Sequence, residues 1–258
     1  MKKIIFFGNG KLAEYALAVL ERECQIIFHV HTKEDLKEAV EMKLSNPDAI
    51  GVLASFGVMV PGSVLEVFEP EGILNIHPSL LPLYRGASPI ESAISAGDTE
   101  FSVSVMKLVR QMDAGPIYYQ KTVAGLPLCK DDIYKALAET GAEWIVKNIS
   151  GLPEPAPQDD TTATFCGKLE KSMGALTPET DTAEQTFRKI VAYQGFPKPK
   201  YTFFGIPCII LEAHILEQGE TALLTIPCAD GLSVAVDRLQ PEGRKPMDAK
   251  SFINGYKK

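Results

Sequence analysis

Short apolar runs separated by stretches of helical spacing mark the first part of the chain. Each run is continuous and rich in β-branched or aromatic residues, which is typical of a buried strand. The runs are Lys3–Phe7, Gln25–Val30, Ala49–Ser55, Ile73–Ile76 and Phe101–Leu108. Continuous apolar strands that alternate with helices indicate a parallel sheet covered on both faces. We therefore predict an α/β domain in this part of the chain.

Three stretches between and after these runs have the pattern of helices. Leu12, Ala16 and Leu20 recur at helical spacing after the first strand. Thr32–Ser45 has helical composition, with Thr32 as the expected N-cap residue, and Asp131–Asn148 resumes the helical pattern after the fifth strand.

The pattern changes after residue 150. Gly151–Asp160 is rich in proline and polar residues, as in a linker, and one helical stretch follows at Asp181–Tyr193. Four short β-like runs then alternate with Gly/Pro turns, which indicates a small β-barrel. These runs are Tyr201–Phe204, Cys208–Ile215, Ala222–Ile226 and Leu232–Val236.

Composition and charge narrow the class of protein. Apolar residues make up 45% and charged residues 23% of the 258 residues, as in ordinary globular proteins. No apolar run reaches the roughly 18 residues that span a bilayer, so we expect a cytoplasmic protein without membrane attachment. The net charge of −7 is unlike that of a general nucleic-acid binder, but residues 161–258 hold 12 basic and 11 acidic residues. A local basic surface is therefore expected in the C-terminal part.

Polar residues at the ends of two predicted strands are the strongest candidates for chemistry. Asn75 and His77 project from the same face of the fourth strand because side chains alternate along a strand. That strand ends where open α/β sheets bind ligands. Asp113 follows the fifth strand, and a carboxylate beside an imidazole orients it and favours its charged form. No cysteine pair has the spacing of a zinc site, and we expect no metal.

These residues lie within a longer motif. Asn75-Ile-His77-Pro-Ser-Leu-Leu-Pro82 is followed by Arg85-Gly-Ala-Ser-Pro-Ile90 and later by Asp113-Ala-Gly-Pro116. The arrangement resembles the signature N-x-H-x-S-L-L-P-x-x-R-G, followed by D-x-G, of the 10-formyltetrahydrofolate-dependent formyltransferases.

The C-terminal half resembles the members of that family that formylate methionyl initiator tRNA. The similarity lies in Ala163–Lys171 and in Leu239–Gly255. It implies a Rossmann-like parallel-sheet formyltransferase domain, residues 1–152, a linker, residues 153–172, and a small OB-like β-barrel domain, residues 173–258. A monomer is expected.

The resemblance also implies a reaction, in which an amine attacks the formyl carbon of 10-formyltetrahydrofolate and creates an oxyanion. Asn75 and protonated His77 would donate hydrogen bonds to that oxyanion. Asp113 would pair with His77 and accept a proton from the amine, directly or through a water molecule.

The family match implies folate contacts at two loops. Ser79, Leu80, Leu81 and Pro82 form the first. The second lies at the end of the third strand and includes Phe56, Val58 and Val60. Packing in the protein core is an equally weighted interpretation of Val58 and Val60.

The substrate whose amine accepts the formyl group is the least determined part of the prediction. Methionyl initiator tRNA is the leading acceptor, although the basic loop that usually follows the second strand in such enzymes is absent here. An I-D-W sequence usual after the linker is also replaced, by Ala175-Leu176-Thr177. The expected tRNA contacts are Arg85, Lys168, Lys171, Lys198, Lys200, Arg244, Lys245 and Lys250. The alternative is a nucleotide-amino-sugar N-formyltransferase, which would use the same centre on a different amine.

Overall fold

A computed structural model describes residues 1–256, so Lys257 and Lys258 lie outside the described residues. The chain divides into two compact units. Unit 1 comprises Met1–Ile90 and Glu100–Gly167, and unit 2 comprises Glu91–Thr99 and Lys168–Lys258. Among the described residues, no helix combines the length and the apolar character needed to cross a bilayer.

Unit 1 is built on a six-stranded sheet in the order β2-β1-β3-β4-β6-β7. Its strands are β1 (Lys2–Gly8), β2 (Cys24–Val30), β3 (Ile50–Ala54), β4 (Ile73–His77), β6 (Phe101–Lys107) and β7 (Ile117–Val123). Its helices include α1 (Gly10–Glu23), α2 (Leu36–Ser45), α3 (Gly62–Val67) and α5 (Lys130–Asn148). A two-stranded pair, β5 (Arg85–Gly86) and β8 (Phe165–Cys166), lies outside this sheet. Helix α4 (Pro89–Ala96) begins in unit 1 and continues in unit 2.

The predicted α/β class with a Rossmann-like sheet is confirmed, and the sheet is mixed. Strands β1 to β4 pair in parallel, whereas β6 pairs antiparallel with β4, and β7 pairs antiparallel with β6. An apolar run shows that a strand is buried on both faces but carries no information about its direction. Strand β7 was missed because Ile117–Val123 is largely polar and partly exposed.

The connection between β2 and α2 differs from its prediction. Helix α2 begins at Leu36, so Thr32 is not its N-cap residue. The Asp35 carboxylate instead accepts hydrogen bonds from the backbone N–H groups of His31 and Thr32, both at 2.8 Å. A carboxylate that accepts bonds from its preceding backbone closes residues 31–35 into a compact turn.

Unit 2 combines helices with a curled antiparallel sheet in the order β11-β12-β10-β9, as expected for an OB-like domain. Its strands are β9 (Lys200–Phe203), β10 (Ile206–Ile215), β11 (Thr225–Pro227), β12 (Ser233–Pro241) and β13 (Met247–Asp248), which pairs with β12. Helix α6 (Ala183–Ala192) begins with a capping box formed by Thr182 and Gln185, and α7 (Ala249–Tyr256) ends the described chain. Apolar side chains of α6, α7 and the sheet form one core.

Candidate functional site

Asn75 and His77 lie at the carboxyl end of β4, with one residue between them on the same face of the sheet. Both side chains are almost fully buried, with 5% and 4% of their surface exposed. Strand β4 is flanked by β3 and β6, so its backbone is held on both edges. The sequence placed these two polar groups correctly because strand alternation alone determines their common face.

Asp113 lies against both of these side chains. Its Oδ1 atom is 3.4 Å from Asn75 Nδ2 and 3.7 Å from His77 Nδ1. Its Oδ2 atom accepts a hydrogen bond from the Gly86 backbone N–H at 2.8 Å. The Asp113 backbone has a positive φ of 48°, a conformation that aspartate tolerates better than most residues. The predicted catalytic residues are therefore brought together in one cluster.

The orientation of the imidazole follows from its second nitrogen. His77 Nε2 lies 3.1 Å from the carbonyl oxygen of Tyr84. A carbonyl oxygen only accepts hydrogen bonds, so Nε2 carries a proton and Nδ1 is the nitrogen that faces Asp113. Gly86, which holds the other oxygen of Asp113, tolerates no side chain, since a Cβ atom there would lie 2.0 Å from the Cys166 carbonyl oxygen.

Two nitrogen atoms thus converge on a single carboxylate oxygen at distances longer than strong hydrogen bonds. An oxygen that reaches this cluster can accept a hydrogen bond from Asn75 Nδ2, and a second one from His77 Nδ1 when that nitrogen carries a proton. The Asp113 carboxylate lies beside both nitrogens and can serve as a proton acceptor. The cluster can therefore stabilise negative charge on an oxygen and accept a proton from a neighbouring group.

The loop after β4 is held by polar residues of the neighbouring strands. Ser104 Oγ donates to the Ser79 carbonyl oxygen at 2.7 Å and accepts from the Leu81 N–H at 3.1 Å. Gln120 Nε2 donates to the Leu81 carbonyl oxygen at 2.7 Å. Sequence reasoning missed both supports, although Ser104, a fully buried polar residue inside an apolar run, was a signal. Ser79 Oγ in turn donates to the Leu83 carbonyl oxygen at 2.6 Å.

The predicted folate contacts fall into two groups. In the loop after β4, Leu80 is exposed and Pro82 half-buried, whereas Ser79 and Leu81 are buried. In the loop after β3, the Phe56 and Val60 side chains belong to the hydrophobic core, and the partly buried Val58 packs against it. Phe56 meets Phe7 edge to face with ring centroids 5.8 Å apart. Phe56 and Val60 therefore pack in the core and Val58 packs against it, and the folate contacts of these three residues stay a prediction.

Arg85 does not occupy a surface open to a phosphate, which corrects its predicted role in tRNA binding. Only 1% of its surface is exposed. Its guanidinium donates to Gln158 Oε1 from Nε at 3.0 Å and from Nη2 at 2.7 Å, and it pairs with the Asp160 carboxylate at 2.6 Å. A buried charge needs such partners, and sequence alone did not show that residues 158–160 supply them.

The other predicted tRNA contacts all lie in unit 2 and have exposed side chains. These residues are Lys168, Lys171, Lys198, Lys200, Arg244, Lys245 and Lys250. Within residues 1–256, none of these seven side chains takes part in an ion pair. The cations of α6 differ, because Arg188 pairs with Glu184 and Lys189 pairs with Asp181. In the part of the chain that the structure describes, no group of three or more histidine, cysteine, aspartate or glutamate residues could hold a metal ion.

Comparison with known proteins identifies related sequences for both units. Residues 8–149 match the formyl transferase family and residues 168–257 match the formyl transferase C-terminal domain. A methionyl-tRNA formyltransferase of Granulibacter bethesdensis is 35% identical over 82% of this chain and 69% of its own length. One of Roseiflexus castenholzii is 31% identical over 97% of this chain and 84% of its own length.

Solved structures with low sequence identity share the fold. HypX from Aquifex aeolicus, in complex with tetrahydrofolic acid, has a TM-score of 0.78 at 19% identity; the match covers 100% of this chain, which spans 48% of HypX. Methionyl-tRNA formyltransferase from Clostridium thermocellum has a TM-score of 0.69 at 17% identity, with 93% of this chain and 98% of the other covered. An N-formyltransferase from Helicobacter canadensis, with folinic acid and dTDP-3-aminofucose, has a TM-score of 0.67 at 16% identity, with 92% and 99% covered.

The family model matches more than half of the chain, and the relatives at 31% and 35% identity extend the similarity over most of the remainder. The clustered Asn75, His77 and Asp113 side chains lie within the matched N-terminal segment. The chain is therefore an enzyme of the formyl transferase family.

Proposed function

We propose that this enzyme transfers the formyl group of 10-formyltetrahydrofolate to the amino group of methionyl initiator tRNA. The observation that carries the formyl-transfer step is that Asn75 Nδ2 and His77 Nδ1 both face the same carboxylate oxygen, Asp113 Oδ1. We infer that the oxygen of a formyl group next to Asp113 would accept hydrogen bonds from these two nitrogens.

The proposed reaction uses these groups in sequence. The amine nitrogen forms a bond to the formyl carbon, and the formyl oxygen becomes an oxyanion that accepts bonds from Asn75 and from the protonated imidazole of His77. Asp113 Oδ1 takes a proton from the amine, while its Oδ2 stays bonded to the Gly86 N–H. The tetrahedral centre then collapses, the bond from carbon to the folate nitrogen breaks, and the proton removed from the amine is returned to that nitrogen.

The folate contacts are proposed for Ser79, Leu80, Leu81 and Pro82. Their loop is fixed by Ser104 and Gln120 from the neighbouring strands, so its shape exists before a ligand binds. A preformed loop lowers the entropy cost of binding. The exposed Leu80 offers an apolar surface directly beside the strand that carries Asn75 and His77.

The tRNA acceptor is supported by relatives named methionyl-tRNA formyltransferase and by the match of unit 2 to the C-terminal domain of the family. Within residues 1–256, the exposed lysines and arginines of unit 2 that have no ion-pair partner suit a phosphate backbone. One observation favours a nucleotide-linked amino sugar instead. Residues 31–35 form a short closed turn after β2, where a basic loop for tRNA would be expected.

A direct assay separates the two acceptors. Purified enzyme and 10-formyltetrahydrofolate would be offered methionyl initiator tRNA and, separately, nucleotide-linked amino sugars, with Asp113→Asn as the inactive control. We expect formylmethionyl-tRNA as the product, and none with Asp113→Asn. Formylation of the sugar nucleotide alone would replace the tRNA acceptor, and no product from either substrate would reject the proposed function.

A further inference from the structure

Gln158 lies in the proline-rich segment that the sequence marks as a linker, yet its side chain reaches the loop that carries Asp113. Its Nε2 atom donates to the Asp113 carbonyl oxygen at 2.8 Å and to the Gly115 carbonyl oxygen at 2.7 Å. Its Oε1 atom accepts both bonds from the Arg85 guanidinium. All four residues belong to unit 1.

We propose that Gln158 is a positioning residue for the reaction, which holds the Asp113 carboxylate in place from two sides. This inference rests on the proposed function, because it assigns Asp113 its catalytic role. Gln158 does not touch the reacting atoms. It acts on the backbone of Asp113 directly and, through Arg85, on the neighbouring Gly86.

The chemistry of the partners determines the orientation of the Gln158 amide. A guanidinium only donates hydrogen bonds and a carbonyl oxygen only accepts them, so Oε1 faces Arg85 and Nε2 faces the loop. Each Nε2 hydrogen has its own carbonyl oxygen. Both ends of the amide are therefore committed, and among the standard side chains only another primary amide offers the same pair of functions.

Gln158 is linked to both groups that hold the Asp113 carboxylate in place. The first is the backbone of Asp113, which Gln158 holds at a positive φ of 48°. The second is the Gly86 N–H, which binds Asp113 Oδ2 and follows directly after Arg85. Arg85 and Gly86 form β5. This strand pairs with β8, which follows Gln158 in the chain. Removal of the Gln158 bonds therefore loosens Asp113 at its backbone.

Gln158→Glu tests the proposal with little change in size. The carboxylate keeps its bonds to Arg85 and gains charge attraction there, but it presents oxygen instead of N–H to two carbonyl groups. We expect kcat to fall about 10- to 100-fold, since a displacement of about 1 Å in a catalytic group costs up to about 10²-fold. The KM for 10-formyltetrahydrofolate should stay within about twofold, because the proposed folate loop is held by other residues.

Asn148→Asp is the matched control. Asn148 Nδ2 donates to the Trp144 carbonyl oxygen at 2.8 Å, in the last turn of α5. The change replaces an amide N–H by a carboxylate oxygen that faces a carbonyl, as at Gln158, but in a place without a proposed catalytic role. Its kcat should equal that of the wild type, whatever its effect on stability.

A second measurement is independent of turnover. Hydrogen exchange of the Gly86 amide reports directly on the Asp113 carboxylate, its acceptor. In Gln158→Glu we expect this amide to exchange at least about tenfold faster than in the wild type, while the Ile76 amide inside β4 is unchanged.

The outcomes are distinct. Lower kcat with faster Gly86 exchange supports the proposal. Unchanged kcat, or unchanged Gly86 exchange, overturns it. If the wild type formylates neither acceptor, the proposed function fails, and the Gly86 exchange alone still decides whether Gln158 holds Asp113.

Discussion

Two sets of cations, one in each unit, lie in different environments. In unit 1, Arg85 is buried and its guanidinium is bonded to Gln158 and Asp160, beside the strand residue that anchors the catalytic cluster. In unit 2, arginines and lysines such as Arg244 and Lys245 are exposed and have no ion-pair partner within residues 1–256. A charge that is paired inside the protein defines local geometry, and a charge left in water remains available to a polyanion.

An exposed ion pair in unit 2 differs in the same way from the buried ion pair of Arg85. Arg238 and Glu212 in unit 2 meet at 2.6 Å, but about half of each side chain is exposed, 49% and 55%. Such a pair is screened by water and salt, so its distance alone says little about its strength. Burial rather than distance therefore decides which cations stabilise this fold, and variants at matched positions can test this distinction.

The largest effect is expected at the catalytic cluster. Asn75→Ala, His77→Ala and Asp113→Ala should each lower turnover by at least about 10²-fold, because each removes a charged or hydrogen-bonding group from the transition state. Single-turnover kinetics would measure the reduction, with circular dichroism and the thermal midpoint as controls for folding. Near-normal turnover of folded His77→Ala would refute the mechanism.

The next effect is on stability. Arg85→Met should lower the free energy of unfolding by about 2 kcal/mol, because Gln158 Oε1 loses its donors while the exposed Asp160 stays solvated. The control is Arg238→Met, which breaks an exposed pair and should cost no more than about 0.5 kcal/mol. Urea denaturation measures both. An equal loss of unfolding free energy in both variants would remove the distinction between the buried and the exposed arginine.

Binding of tRNA tests the role of the exposed, unpaired cations of unit 2 within residues 1–256. Changing Arg244 and Lys245 together to glutamine should weaken tRNA binding and reduce its salt slope by about one unit for each phosphate that is no longer neutralised. Turnover of a small amine acceptor should not change. The matched control is Arg238→Gln, whose charge is already paired with Glu212.

Titration of tRNA affinity over several salt concentrations gives the slope. An unaltered slope in the folded double variant would remove this pair from the tRNA surface. If none of the seven exposed candidates mattered, the nucleotide-amino-sugar acceptor would become the better proposal.

The smallest effect concerns pH. A hydrogen bond to Asp237 raises the pKa of His214 above its ordinary value of 6.5, with a further contribution from Glu220. A raised pKa in the folded state stabilises the protein fully below the unfolded value and not at all above the folded one. Relative to His214→Gln, the wild type should gain about 0.5 kcal/mol after screening by solvent, as pH falls from about 8.5 to 5.5. Urea denaturation at both values measures the difference, and a gain at high pH would contradict it.

Much of unit 1 followed from the sequence because local pattern determines it. Continuous apolar runs marked β1, β3 and β4, and alternation along β4 placed Asn75 and His77 on one face. The spacing of the family motif led to Asp113. In unit 2, four runs between Gly/Pro turns indicated β9 to β12, and β13 lies outside these runs. The strands depend on residues close together in the chain, so periodicity was sufficient for them, whereas Asp113, 38 residues after Asn75, was found only through the family motif.

Tertiary structure alone decided the features that join distant residues. The antiparallel direction of β6 and β7, the core position of Phe56, and the burial of Arg85 were not predicted. Arg85 and Gln158 are 73 residues apart in the chain. Whether an arginine lies in water or in the core depends on whether such a distant partner can satisfy its charge, and only the folded chain brings that partner to it.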